Sequence, residues 1–134
     1  MRFVDTNVLL YAASVLPEEE AKRVRARELL SEPNLAVSVQ VVQEFYHQAT
    51  RVTRPGRLSD DDAVRFLEPV LEMRVQNVTL GVFRDAVSIR RRFGLSYWDA
   101  VILAAARALG CDAVYSEDMS SEQDYGGLRV VNPF

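Results

Sequence analysis

Arg2-Phe3-Val4-Asp5-Thr6-Asn7 begins as an apolar run and ends on a carboxylate. Residues 2–5 predict a buried strand. In open parallel α/β sheets the ligand crevice lies beyond the carboxyl ends of the strands, so an acid in that place faces the site. The pattern recurs late in the chain, where Asp112-Ala113-Val114-Tyr115-Ser116 predicts a strand and Asp118 follows it. Two strands that deliver carboxylates to one rim suit a hard divalent cation.

The stretches between these strands supply the rest of the fold. Val8 to Ala13 predicts a helix, and Pro17 with Glu18-Glu19-Glu20 opens another that runs to about Leu30, because proline suits the first turn and acids favour the positive end of the dipole. Leu35 to Ser38 predicts a second strand. Val39 to Val52 carries Val39, Val42, Phe45, Tyr46 and Ala49 at helical spacing, with Glu44 inside that helix. Pro55-Gly56 breaks the chain, and Ser59 with Asp62 has the spacing of a capping box, so Asp60, Asp61 and Asp62 are expected to be a solvated helix start. Val75 to Val78 predicts a third strand, Val82 to Phe93 a helix closed by Gly94, and Tyr97 to Leu109 a helix closed by Gly110. Leu128 to Val131 predicts the last strand. This alternation indicates an α/β fold, a three-layer α/β/α sandwich around a mainly parallel central sheet.

Length and composition fit one soluble globular domain spanning residues 1–134, with 49% hydrophobic and 26% charged residues. The single cysteine, Cys111, cannot form an internal disulfide and is expected to serve as a small buried hydrophobe. No leader and no apolar stretch of about eighteen residues is evident, so the expected location is the cytoplasm, away from any membrane. A net charge of -3 argues against a protein that holds nucleic acid by a blanket of positive charge. Lys22 is nonetheless the only lysine among 16 basic residues, and the arginines cluster at Arg51, Arg54 and Arg57 and at Arg90, Arg91 and Arg92. Arginine is the side chain whose planar fork suits phosphate, although a solvated helix face accounts for the same clusters.

Four acids stand at element ends that an α/β sheet brings to one edge: Asp5, Glu44, Asp99 and Asp118. Asp99 is the only acid in a helix that is apolar nearly all round, so its carboxylate requires a partner. Each acid also has a structural role open to it. Asp5 can be an N-cap, Glu44 an exposed helix residue, Asp99 the partner of Ser96 in a capping box, and Asp118 a turn residue. Other chemistries lack their parts. No serine stands in a nucleophile elbow, Cys111 has no helix after it to lower its pKa, and neither zinc spacing nor a Gly-rich phosphate loop is present. Carboxylate ligation selects Mg²⁺, with Mn²⁺ as the alternative.

The chain resembles PIN-domain nucleases, and specifically the toxins of VapBC-type toxin-antitoxin pairs. The matching pieces are Val4-Asp5-Thr6-Asn7-Val8-Leu9, Gln43-Glu44-Phe45, Ser96-Tyr97-Trp98-Asp99-Ala100 and Ser116-Glu117-Asp118, closing with Val131-Asn132-Pro133-Phe134. The resemblance runs the whole length, and its specificity lies in the order of the motifs. It implies a Mg²⁺- or Mn²⁺-dependent endoribonuclease with Asp5, Glu44, Asp99 and Asp118 as the acidic pocket. Asp5, Asp99 and Asp118 would be the metal ligands, and Thr6, Asn7 and Ser116 would orient them. Glu117 and Asp124 are nearby acids, either of which could stand in for Asp118. The resemblance also implies an RNA substrate, a DNA-binding antitoxin partner and a homodimer. RNA affinity is assigned to Arg54, Arg57, Arg90, Arg91 and Arg92. Leu9, Leu10 and Tyr11 offer either a contact surface or plain core. Two other readings stay open. One is a PIN-fold module that binds RNA or protein without cutting, and the other is a haloacid-dehalogenase-like phosphohydrolase, which Asn7 and the shortage of lysine weaken.

Overall fold

Asp5 terminates the first strand and starts the first helix. In a computed structural model that describes all 134 residues, the opening run forms β1 (Arg2–Val4), and Asp5 caps α1 (Thr6–Ala12). The helix therefore begins two residues earlier than its apolar periodicity suggests, because a capped terminus needs no apolar residue at its first position. Pro17–Glu19 forms a single 3₁₀ turn ahead of α2 (Glu20–Leu30). Next come β2 (Leu35–Ser38), α3 (Val39–Thr50) and α4 (Asp60–Val70). Then follow β3 (Arg74–Gln76), α5 (Leu80–Phe93), α6 (Tyr97–Ala108), β4 (Ala113–Tyr115) and β5 (Arg129–Val131).

The five strands lie in the order β3-β2-β1-β4-β5, and every neighbouring pair is parallel. Phe3 sits at the centre of the register, opposite Ala36 on one side and Val114 on the other. The chain first builds outward from β1 through β2 to β3, then returns across the sheet to β4. Right-handed crossovers in opposite directions place their helices on opposite faces. Accordingly α1 to α4 pack against one another with α3 on β2, while α6 lies on β2, β3 and β4 and is backed by α5. The expected three-layer arrangement is what forms.

Local chemistry sets the boundaries. Ser38, Ser59, Thr79 and Ser96 cap α3, α4, α5 and α6 through their side-chain oxygens. The Thr79 cap starts α5 at Leu80 and leaves β3 shorter than its apolar run. Gly94 closes α5 at φ 68°, a left-handed conformation that glycine adopts without steric cost. One apolar cluster of 33 buried residues joins the layers. Its densest part is α6, buried without a break from Ala100 to Ala106. Leu9 belongs to this core, and Leu10 and Tyr11 pack against it, so that stretch serves packing. Cys111 is a free, buried thiol at the start of the β4 segment.

Leu103 lies at 0% exposure in the middle of α6. Leu103→Ala is expected to lower the unfolding free energy by about 3 kcal/mol through lost burial and a residual cavity. Val52→Ala, at an exposed position, should change it by less than about 0.5 kcal/mol. Urea denaturation of the two variants checks the contrast.

Candidate active site

Strand order reverses between β1 and β4, and in a parallel sheet the crevice at such a switch point is where ligands bind. Both strands end there on site residues. The Asp5 N–H donates to the Tyr115 carbonyl at 3.0 Å, which closes the seam and brings the segment after β1 against the segment after β4. Asp5 is 6% exposed, and both of its oxygens are engaged. Oδ1 accepts from the Thr6 N–H at 2.7 Å and Oδ2 from the Ser116 hydroxyl at 2.7 Å. Ser116 is wholly buried, and its oxygen in turn accepts from the Asp118 N–H at 3.1 Å and from Asn7 Nδ2 at 3.5 Å. One hydroxyl thus ties the deepest acid to the outermost.

The other acids reach this seam from separate elements. Glu44 stands in the second turn of α3, where Oε2 accepts from the Thr6 hydroxyl at 2.9 Å and Oε1 from Gln40 Nε2 at 2.8 Å. Asp118 is exposed on the loop after β4, and Asn7 Nδ2 donates to its Oδ2 at 3.0 Å. The Asn7 side-chain oxygen accepts from the Glu117 N–H at 3.3 Å. Asp99 lies in the first turn of α6, half-buried, with its N–H on the Ser96 hydroxyl at 3.2 Å. The capping roles of Asp5 and Ser96 are real, and they coexist with the site.

Electrostatics joins the four. Burial is the main cause that pushes the Asp5 carboxyl up to about 6, and the carboxylates of Asp118 and Glu44 add to it, against the hydrogen bonds from Ser116 and Thr6. Asp99 is also raised, first by burial and then by the same two neighbours, Asp118 and Glu44. Glu44 on α3 and Asp118 on the β4 loop therefore act on both Asp5 at the end of β1 and Asp99 on α6.

They do not close into the single acidic pocket that the resemblance implies. No three His, Cys, Asp or Glu side chains stand together at metal-holding spacing. The carboxylates of Asp5, Glu44 and Asp118 instead accept from neutral donors, namely Thr6 and Ser116, Thr6 and Gln40, and Asn7. The donor set still fits a hard divalent cation in kind. It consists of carboxylates and hydroxyls with no thiolate or imidazole among them, and burial first, then neighbouring negative charge, lifts Asp5 and Asp99.

The structure separates the remaining acids. Glu117 points away to Lys22, at 2.6 Å. The Asp124 side chain accepts from the Gly127 N–H at 2.6 Å and its backbone pairs with that of Arg129, at the amino edge of β5 and away from the rim. Neither takes the place of Asp118. Asp60, Asp61 and Asp62 are exposed at the Ser59-capped start of α4, as expected. His47 is exposed on α3. Burial pushes the Cys111 thiol up to about 11, which leaves it no nucleophilic role. Gln40 is a site residue that sequence reasoning missed, although it precedes Glu44 by four positions on α3, the spacing at which helical side chains meet.

The arginines are spread. Arg54 and Arg57 lie on the loop after α3, with Arg57 donating to the Thr50 carbonyl at 3.4 Å. Arg90, Arg91 and Arg92 are exposed at the end of α5, and the Arg92 guanidinium packs over Phe93. Arg92 also lies beside Gly126, in the turn that leads into β5, so it is not gathered to the acidic rim.

The PIN domain family model matches residues 2–121. The chain belongs to the PIN domain family. Among solved structures, this PIN domain is similar to a toxin-antitoxin complex from Klebsiella pneumoniae, with a TM-score of 0.72 at 20% identity over 100% of this chain and 98% of that one. It is similar to VapC20 of Mycobacterium tuberculosis, a sarcin-ricin loop cleaving toxin, with a TM-score of 0.68 at 25% identity over 88% and 90% of the two chains. VapBC2 of Rickettsia felis, bound to a DNA fragment from its promoter, gives a TM-score of 0.66 at 13% identity over 96% of each chain. No curated protein matches the sequence. Family membership sets aside the dehalogenase-like reading. In this PIN domain Asn7 is a hydrogen-bond bridge to the β4 loop, and the sole lysine is engaged by Glu117.

The raised Asp5 carboxyl fixes the sign of a pH effect. Between the ordinary value of 3.8 and about 6, the folded protein binds a proton that the unfolded chain has released, so stability falls as pH rises through that window. Asp5→Asn removes the titration. In EDTA the variant is expected to be more stable than the parent at pH 7, by roughly 2 kcal/mol, and to show a flatter stability profile between pH 4 and pH 6. Chemical denaturation across that range is the measurement.

Proposed function

We propose that this PIN domain is a Mg²⁺- or Mn²⁺-dependent endoribonuclease and the toxin of a VapBC-type pair. The observation that carries the reading is the meeting of Asp5, Glu44, Asp99 and Asp118 in one field at the switch point of a PIN sheet. Asp5, Asp99 and Asp118 are the proposed metal ligands. Glu44, steadied by Thr6 and Gln40, completes the ligand set or orients the attacking water, and Thr6, Asn7 and Ser116 hold the carboxylates in place. When bound, the cation supplies water made nucleophilic near neutral pH and positive charge for the phosphate and leaving oxygens. The chain's own part is positioning. In-line attack forms a bond from the water oxygen to phosphorus and breaks the bond from phosphorus to the 3′ oxygen, which takes up a proton. The products are a 5′-phosphate and a 3′-hydroxyl.

RNA is the proposed substrate, supported by the likeness to VapC20, which is a sarcin-ricin loop cleaving toxin. An acidic rim repels a phosphate backbone, so affinity is assigned to arginines elsewhere on the surface: Arg54, Arg57, Arg90, Arg91 and Arg92. Binding should then weaken with added salt. The Klebsiella pneumoniae and Rickettsia felis structures, a toxin-antitoxin complex and a promoter-bound VapBC2, support an antitoxin as partner. A homodimer is also proposed. Exposed Val78, Leu80, Phe83 and Trp98, around the starts of α5 and α6, are apolar surface for such contacts. No helix is long and apolar enough to cross a membrane.

Purified protein incubated with total cellular RNA and Mg²⁺ or Mn²⁺ is expected to yield discrete fragments with 5′-phosphate ends, read by end sequencing. EDTA should abolish them. Asp99→Asn should reduce cleavage by at least about a hundredfold, the scale on which a group acting on transition-state charge is felt. Cleavage that persists in both controls excludes the mechanism and leaves a binding module.

A further inference from the structure

The geometry points to Lys22 as a positioning residue for Asp118, acting through Glu117 from the neighbouring helix α2. The ammonium donates to Glu117 Oε1 at 2.6 Å and to the Tyr11 hydroxyl at 3.2 Å. It also lies 4.7 Å from the Tyr11 ring centroid and 5.7 Å from that of Phe134, and those rings meet edge to face at 5.0 Å. The only lysine of the chain therefore sits in a corner of two aromatic faces, where cation–π attraction adds to the ion pair. A compact ammonium with three donors suits that corner.

What the corner holds is the loop that carries the outermost site acid. Asp118 is exposed and lacks the support that burial gives Asp5. The next residue, Met119, is buried, which anchors the loop in depth without fixing how Asp118 is turned. Orientation comes from Asn7, which accepts the Glu117 N–H and donates to Asp118, and from Lys22, which holds the Glu117 side chain. Lys22 on α2, Asn7 on α1 and the β4 loop thus form one chain of contacts from a helix surface to the rim. A single ion pair that is only partly buried at the surface adds little to global stability, so its effect is local. The tie also keeps Glu117 away from the rim, where a further acid would add repulsion.

This inference rests on the proposed nuclease reading for its consequence, and it is tested without that reading by amide hydrogen exchange. Lys22→Met in the full chain is expected to accelerate exchange at the Glu117 and Asp118 amides about tenfold, with the α2 amides unchanged. Mn²⁺ affinity, by titration calorimetry, should fall about tenfold, the lower end for loss of a support behind a metal ligand. RNA-cleaving kcat should fall with KM little changed. Lys22→Arg, which keeps charge and reach, should stay within about threefold of the parent in exchange and affinity. Lys22→Met with Glu117→Gln removes the stray charge as well and should remain as defective as Lys22→Met, because the lost function is position. The proposal is overturned if exchange at Glu117 and Asp118 is unaltered, if α2 loosens equally, or if the double variant recovers parental Mn²⁺ affinity. A parent that neither binds Mn²⁺ nor cuts RNA defeats the nuclease reading alone, and the exchange comparison still decides Lys22.

Discussion

A carboxylate sunk between two strands is expensive to keep charged, and the rim of this protein is organised around that cost. Asp5 can remain where it is because its position also serves the backbone. It ends β1, caps α1, and joins β4 through its own N–H. The oxygens then receive donors that the fold has already fixed, the Thr6 N–H and the Ser116 hydroxyl. Remove the strand reversal between β1 and β4, and Ser116 no longer stands opposite Asp5. The site is therefore a consequence of topology before it is a consequence of side-chain choice.

Much of this was legible in the sequence. Strands that end on acids, serines and threonines placed as caps, and glycines after apolar helices gave the α/β order and most element limits to within two residues. Where the limits differ, the cause is a cap that overrides apolar periodicity, as Asp5 does for α1 and Thr79 for α5. The four acids could be singled out because each stands at an element end, and the fold brings Asp118 and Glu44 near enough to Asp5 and Asp99 to raise both. Their hydrogen-bond partners were legible only in part. Thr6, Asn7 and Ser116 flank the acids in sequence. Gln40 is legible from its four-residue helical spacing to Glu44. Lys22 and Glu117 are 95 positions apart, and no periodicity or motif links them. How closely the four carboxylates approach one another was not legible, because it depends on side-chain orientation and hydrogen-bond partners that a string of residue types does not show.

The rim also has a direction. Exposure rises from Asp5, through the half-buried Glu44 and Asp99, to the exposed Asp118. The inner acid is held by backbone and a buried hydroxyl, so its place is as rigid as the sheet. The outer acid is held by one amide and by a loop whose far side is tied to α2. A ligand that enters from solvent meets the least constrained carboxylate first and the most constrained last. Adjustment is then confined to the loop after β4, and the strand ends need not move. In such an arrangement the helix α2, which contributes no acid to the rim, still bears on it, because the cation that holds Glu117 is one of the ties, with Asn7, Ser116 and Met119, that place the loop.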